Sequence, residues 1–163
     1  MHEVEVKILE IDKNKVIEKL RKMGADRIFH GNLQVSYYDY PEDSLMKNGK
    51  MLRLRTGKRT ELTFKQKISR EKYKVMEEHE VVINDENAMK EILTKIGLCE
   101  TKKMTKHRTS YVLKNIHFEI DEFPGIPALL EIEAPSEEDV KENVENLGFS
   151  MEEAKPWSGG EVI

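Results

Sequence analysis

Residues 2–8, His-Glu-Val-Glu-Val-Lys-Ile, alternate charged and aliphatic side chains from Glu3 onward. A period of two marks a β-strand, with Glu3, Glu5 and Lys7 on one face and Val4, Val6 and Ile8 on the other. Side chains at i and i+2 of a strand lie about 7 Å apart. The charged face therefore carries two carboxylates and an ammonium in a row, and what that face looks onto decides the fold.

The pattern returns six more times. Arg53 and Arg55 interleave with Leu52 and Leu54. Thr63, Lys65 and Lys67 interleave with Leu62 and Phe64, and Glu78 and Glu80 with His79, Val81 and Ile83. Lys106 and Arg108 oppose Tyr111 and Leu113. Glu119 and Asp121 alternate with Phe118 and Ile120, and Glu131 and Glu133 with Leu130 and Ile132. Turn residues separate these strands at 41–49, 56–58, 114–115 and 124–127. The charged stretch 69–76 lacks alternation and reads as a loop.

Three segments instead carry a helical apolar stripe that stops at glycine. About Asp12 to Met23 has Val16, Ile17, Leu20 and Met23 before Gly24. About Asp85 to Ile96 has Met89, Ile92, Leu93 and Ile96 before Gly97. A third opens at Ser136, with Asp139 three residues on, and carries Val140, Val144 and Leu147 before Gly148. A Glu-x-Glu strand precedes each helix, a loose echo within one unit and not a solenoid.

Composition narrows the functional classes. The 163 residues suit a single domain, 1–163, with no dividing linker. Charged residues reach 36% and hydrophobic residues only 38%, with 31 acids against 27 Lys and Arg. That balance of -4 lacks the basic surplus of a nucleic-acid binder. No run approaches a membrane span, and Met1-His2-Glu3 does not begin a signal peptide. Cys99, the lone cysteine, excludes an intramolecular disulfide or a thiolate metal cage and is expected as a small residue behind a helix. A cytoplasmic setting fits, and a homodimer is left open.

Two arrangements satisfy the alternation. In an ordinary antiparallel sheet, helices cover the apolar face and water covers the charged one. In a closed sheet with helices outside, the charged face becomes the interior. Nearly every polar-face position here is ionisable and sorts by strand into acid pairs and base pairs, which favours closure. Like charges at about 4 Å repel by roughly 4 kcal/mol at an effective dielectric of about 20. Facing bases inside such a ring need anions, which a triphosphate supplies in a form that Arg forks and Lys ammoniums grip. Facing carboxylates need cations, and all-oxygen ligation points to Mg²⁺ or Mn²⁺.

Glu3-Val-Glu5-Val-Lys7 resembles the ExExK signature of the CYTH superfamily, the triphosphate tunnel metalloenzymes. Arg53-Leu-Arg55, Lys65-Gln-Lys67, Glu78-His-Glu80, Lys106-His-Arg108, Asp121 and Glu131-Ile-Glu133 follow in the family's order, and the likeness runs to about Lys155. It implies an α+β fold: a closed eight-stranded antiparallel β-barrel forming a tunnel, with helices packed outside. It implies metal-binding carboxylates at Glu3, Glu5, Asp121, Glu131 and Glu133. Phosphate-binding bases would be Lys7, Arg53, Arg55, Lys65 and Arg108, with Lys67 and Lys106 as helpers and Lys155 as a late substrate-binding lysine. Glu78 and Glu80 would bind a second metal or balance neighbouring bases.

The implied activity is phosphoryl or nucleotidyl transfer on a small-molecule triphosphate: ATP, thiamine triphosphate or tripolyphosphate. Lys7 or a second metal would orient the nucleophile. Water as nucleophile makes a triphosphatase; a ribose 3′-hydroxyl makes a class IV adenylyl cyclase. The tail Lys155-Pro-Trp157-Ser-Gly-Gly-Glu161 departs from the Ser-Tyr ending of many cyclase-like members, which bears on the reaction more than on the fold. Trp157 is expected as a packing anchor, and Tyr37, Tyr38 and Tyr73 are candidate mouth residues. A non-catalytic polyphosphate or nucleotide binder would need fewer carboxylates, and an RNA-binding sheet would need stacking aromatics among its bases.

Overall fold

The opening stretch forms β1 (His2–Ile8), and both of its edges are paired. β8 (Ile126–Ala134) runs antiparallel along one edge, and β5 (Lys74–Ile83) along the other. Between them stand β2 (Asp26–Asp39), β3 (Lys50–Thr56), β4 (Thr60–Arg70), β6 (Cys99–Leu113) and β7 (Ile116–Phe123). In this computed structural model, which describes residues 2–157, the order β1-β8-β7-β6-β2-β3-β4-β5 returns to β1. Eight antiparallel strands thus close a ring. A two-residue strand, β9 (Ala154–Lys155), continues the edge of β1 beyond β5, pairing Lys155 with Lys7.

The three expected helices form with the expected caps. α1 (Lys13–Lys22) is capped by Asp12, α3 (Glu86–Lys95) by Asp85 and α4 (Glu137–Asn146) by Ser136, each side chain accepting a backbone N–H three residues on. Each cap satisfies one of the donors a helix start leaves unpaired. The glycines that follow all have positive φ; at Gly148 a side chain would also meet Lys19 Nζ at 2.6 Å. Lys19 is there because it donates to Leu147 O at 2.8 Å, closing the end of α4.

The apolar cores lie outside the ring. Val4, Val6, Phe118, Ile120, Leu130 and Ile132 pack against Val16 and Leu20 of α1, Val140 and Val144 of α4, and Leu147 at the end of α4. A smaller cluster joins Tyr38 and Leu54 to Leu93 of α3 and Leu98. Burying these faces outward-in drives folding and leaves the opposite, charged faces to meet one another.

One strand goes unseen in the sequence, and four expectations need correction. Residues 26–39 form the longest strand but one, with a bulge between Arg27 and Phe29. The stretch 69–76 is a hairpin joining β4 to β5, because Ser69 and Arg70 pair with Val75 and Lys74 after a bulge that breaks the alternation. Within the turn at 41–49, Asp39 accepts from the N–H groups of Tyr40, Leu45 and Met46 and organises a one-turn helix, α2 (Ser44–Lys47). Cys99 is exposed at the start of β6, its Sγ 3.4 Å from Asp39 O, rather than behind a helix. Trp157 is 36% exposed where the chain leaves β9, so it is no buried anchor; the Ser-Gly-Gly-Glu tail lies outside the described residues. No helix among the described residues is long and apolar enough to cross a membrane.

Candidate functional site

Inside the ring is a cavity of about 1690 Å³. β1 contributes Glu3, Glu5 and Lys7 to its wall, β8 contributes Glu131 and Glu133, and β7 contributes Glu119 and Asp121. Arg53 and Arg55 enter from β3, Lys65 and Lys67 from β4, Glu78 and Glu80 from β5, and Lys106 and Arg108 from β6. The interior is enclosed enough that Glu5, Lys7, Lys65, Arg108 and Asp121 are each at most 7% exposed. Charges this buried are costly unless paired. Lys155 is the exception among the expected residues: it pairs through backbone with Lys7 and does not line the cavity.

The acids gather where β1 meets β8. Register sets Glu5 opposite Glu133 and Lys7 opposite Glu131. One carboxylate oxygen from each of Glu3, Glu5 and Glu133 lies within 4.8 Å of the others. Burial pushes Glu3 up to about 7, and it pushes Glu133 well above the carboxylate range, helped by its contacts with Glu131 and Glu3. Glu5 and Glu131 are buried too, but bases outweigh burial and hold both low: Lys7, Lys65 and Lys74 around Glu5, Lys7 and Arg108 around Glu131. Lys7 bonds Glu131 and lies 3.8 Å from Glu5, so despite burial it is held firmly as an ammonium.

The bases occupy the facing strands and lean on acids of their own. Arg108 holds Asp121 through two hydrogen bonds, 2.6 and 2.7 Å, and Lys106 reaches the same carboxylate at 2.9 Å. Lys65 lies 3.2 Å from Glu78 and 3.8 Å from Glu3. Burial raises Glu78, but its hydrogen bond with Glu3 and the Lys65 charge bring it down to about 2. Glu80 accepts from Thr63 at 2.8 Å and sits about as near both arginines, 4.0 Å from Arg53 and 3.9 Å from Arg55. Glu78 and Glu80 thus balance bases in this structure, while Asp121 and Glu131 are each engaged by cations.

Three contributors escaped the sequence. Glu61 shares the inward face of β4 with Thr63 and Lys65 and binds Arg55 at 2.7 Å; the parity that revealed Lys65 marks it equally. Lys74, hidden in the stretch read as a loop, bonds Glu5. β2 brings Leu33 to the cavity opposite Lys106, and beside it the candidate mouth residue Tyr37 opposite Arg53. Of the other tyrosines weighed, Tyr38 packs in the smaller outer core and Tyr73 in the larger.

Two buried side-chain atoms have no hydrogen-bond partner among the described residues: Glu3 Oε1 and Arg53 Nε. An orphaned carboxylate oxygen in a cluster of three acids suits a cation, and an orphaned guanidinium nitrogen in a basic wall suits an anion. The all-oxygen donor set suits Mg²⁺ or Mn²⁺ better than a softer ion. Residues present in the cavity therefore fit both a divalent ion and an extended polyanion.

Comparison with known proteins agrees with this geometry. The CYTH domain family matches residues 1–156. A Methanocaldococcus jannaschii protein named "Putative adenylate cyclase" is 33% identical over 157 residues, covering 93% of this chain and 87% of that protein. Among solved structures, a Vibrio parahaemolyticus protein named "putative adenylate cyclase" superposes with a TM-score of 0.88 at 17% identity, covering 99% of this chain and 97% of that one. A Hippeastrum protein named "Putative adenylyl cyclase" and described as having a dominant triphosphatase activity superposes with a TM-score of 0.68 at 18% identity, covering 96% and 91%. These two structural likenesses bear on the fold.

Proposed function

The chain belongs to the CYTH domain family, and from that premise we propose that it is a metal-dependent enzyme transferring a phosphoryl or nucleotidyl group from a small-molecule triphosphate. One observation carries the reading. The three-carboxylate cluster of Glu3, Glu5 and Glu133 and the bases Arg53, Arg55, Lys65 and Arg108 line the same enclosed cavity. A binder of polyphosphate alone would use the bases and has no need of converging acids.

Mg²⁺ or Mn²⁺ held by Glu3, Glu5 and Glu133 would supply Lewis acidity toward phosphate oxygens. The chain does the rest by position and charge, which dominate phosphoryl-transfer catalysis. Arg53, Arg55, Lys65 and Arg108 grip the phosphates and stabilise negative charge on the leaving side, with Lys67 and Lys106 assisting. Lys7, held as an ammonium by Glu131 and Glu5, orients the nucleophile and takes up no proton itself. Exclusion of bulk water strengthens each of these interactions.

The uncharged inner wall at Leu33 and Tyr37 favours a triphosphate with an organic substituent, such as ATP or thiamine triphosphate, over bare tripolyphosphate. Water attacking the terminal phosphorus gives a triphosphatase; a ribose 3′-hydroxyl attacking the α-phosphorus gives cyclic nucleotide and pyrophosphate. Incubation with ATP, thiamine triphosphate and tripolyphosphate under Mg²⁺ or Mn²⁺, with chromatographic separation of products, distinguishes them. No turnover of any of the three would defeat the enzyme reading and leave a polyanion-binding protein.

A further inference from the structure

Behind the ring, β2 and β6 carry a second cluster that the triphosphate chemistry leaves unused. His30 pairs in register with Thr109, and His107 with Asn32, alternating with Gly31 and Arg108 of the inner face. His30 and His107 therefore stand on the outer face, and their rings meet edge to face with centroids 4.6 Å apart.

Each imidazole is anchored through one nitrogen. His107 Nδ1 lies 3.2 Å from Glu122 Oε2, and His30 Nδ1 lies 3.1 Å from Thr109 Oγ1. An ionised carboxylate only accepts, so neutral His107 carries its proton on Nδ1 and keeps a lone pair on Nε2. The Thr109 hydroxyl can accept from His30 Nδ1 as well as donate to it, so the contact permits the same tautomer in His30. Among the described residues no hydrogen bond engages either Nε2. This is how metal-bound histidines are held: the remote N–H rests on a carboxylate or another oxygen, which fixes the ring and the tautomer.

Glu122 is shared with Lys13 Nζ at 3.0 Å, so it serves as the acceptor that orients His107 and not as a third ligand. Asn32 lies across the strand from His107, and a hollow of about 560 Å³ lined by both histidines, Asn32 and Thr105 leaves room for waters to complete a coordination shell. Partial desolvation, then the neighbouring His107, Arg27 and Lys13, lower the His30 pKa, with Glu122 opposing them. The same cations oppose any ion held by charge alone, which disfavours Mg²⁺ and Ca²⁺; bonding to imidazole favours borderline transition metals.

We infer that His30 and His107 form a transition-metal site, taking Zn²⁺, Ni²⁺ or Cu²⁺ through their two Nε2 atoms on the outer face of the β2–β6 pair. Its preference is opposite to that of the all-oxygen acid cluster inside the ring, so the chain carries two metal sites of different chemistry.

The experiment is calorimetric titration of Ni²⁺ into the whole protein under excess Mg²⁺, which saturates the acid cluster. One equivalent of Ni²⁺ should bind. His30→Ala and His107→Ala should each weaken binding by about tenfold or more, and Glu122→Gln by about tenfold through loss of the orienting acceptor. Far-UV circular dichroism should stay unchanged in all three. A Glu5→Gln/Glu133→Gln variant should keep the Ni²⁺ site, whatever becomes of turnover. Absence of Ni²⁺ binding to the unmodified protein, unchanged affinity in the double histidine variant, or loss of binding in the double glutamate variant would each overturn the inference.

Discussion

Arg108 grips Asp121 through both carboxylate oxygens, at 2.6 and 2.7 Å, and the pair sits almost wholly out of water. Lys106 shares the same anion. Burial, then the nearby Arg108, bring Lys106 down to about 8; burial raises Asp121, but the two bases hold it at about 2. Asp121 is thus the shared counterion of two cations in the cavity wall.

Asp121→Ala should therefore cost stability before it costs chemistry. Stranding buried cations typically costs about 3–5 kcal/mol, read as a lowered urea midpoint. Tripolyphosphate should restore part of that loss, because its oxygens replace the missing carboxylate. A variant as stable as the parent would mean that Arg108 and Lys106 are not held in place by this aspartate.

Arg55 and Glu133 should fail in different ways. Arg55→Ala removes a guanidinium from the basic wall proposed to hold the phosphates, and a charged hydrogen bond is worth roughly 1.5–3 kcal/mol. KM for any triphosphate should rise about ten- to hundredfold at saturating metal. Glu133→Gln takes a carboxylate from the acid cluster and should raise the metal concentration needed for half-maximal rate. Steady-state kinetics varying substrate and metal independently would show both; intact activity in both variants would unseat the assignments.

Metal affinity should climb with pH. Glu3, pushed up to about 7, and Glu133, also pushed well above the carboxylate range, hold protons that a divalent ion must displace. Mn²⁺ binding should strengthen about tenfold or more between about pH 6 and about pH 8, and Glu3→Gln should flatten the dependence. For the metal-free protein the sign reverses. Glu3 is harder to ionise folded than unfolded, so its contribution to stability is lost as pH rises from about 4.5 through about 7. Thermal melts with and without Mn²⁺ would show the two trends diverging.

Tyr37 tests the organic part of the substrate. Tyr37→Ala should lower kcat/KM for ATP or thiamine triphosphate several-fold and leave tripolyphosphate hydrolysis nearly unchanged. Equal losses on all three would place Tyr37 in the phosphate-binding wall, and no loss would remove it from the site.

The sequence shows its strands wherever inner and outer faces differ in charge. Glu3, Arg53, Lys65 and Glu131 announce both strand and orientation, since each alternates with an aliphatic neighbour. β2 shows nothing of the kind. Its inner positions are Gly31, Leu33, Val35 and Tyr37, so apolar groups face the cavity and the contrast disappears. Lys74 was concealed by the bulge between Lys67 and Ser69, which shifts parity midway through a pairing. Which acid partners which base was also illegible, because it depends on cross-strand register between segments far apart in the chain. Glu5 meets Lys74 and Lys7 meets Glu131 by virtue of ring closure alone.

That closure constrains when the molecule can finish assembling. β1 is made before both of its neighbours, which are completed only at residues 83 and 134. Such distant pairings are slow to form. Until β8 emerges, the first strand has one edge bare, and the acids it carries lack the Glu131 and Glu133 beside them. The acid cluster is therefore among the last features a nascent chain can acquire, although Glu3 and Glu5 lie on the earliest of the strands that build it.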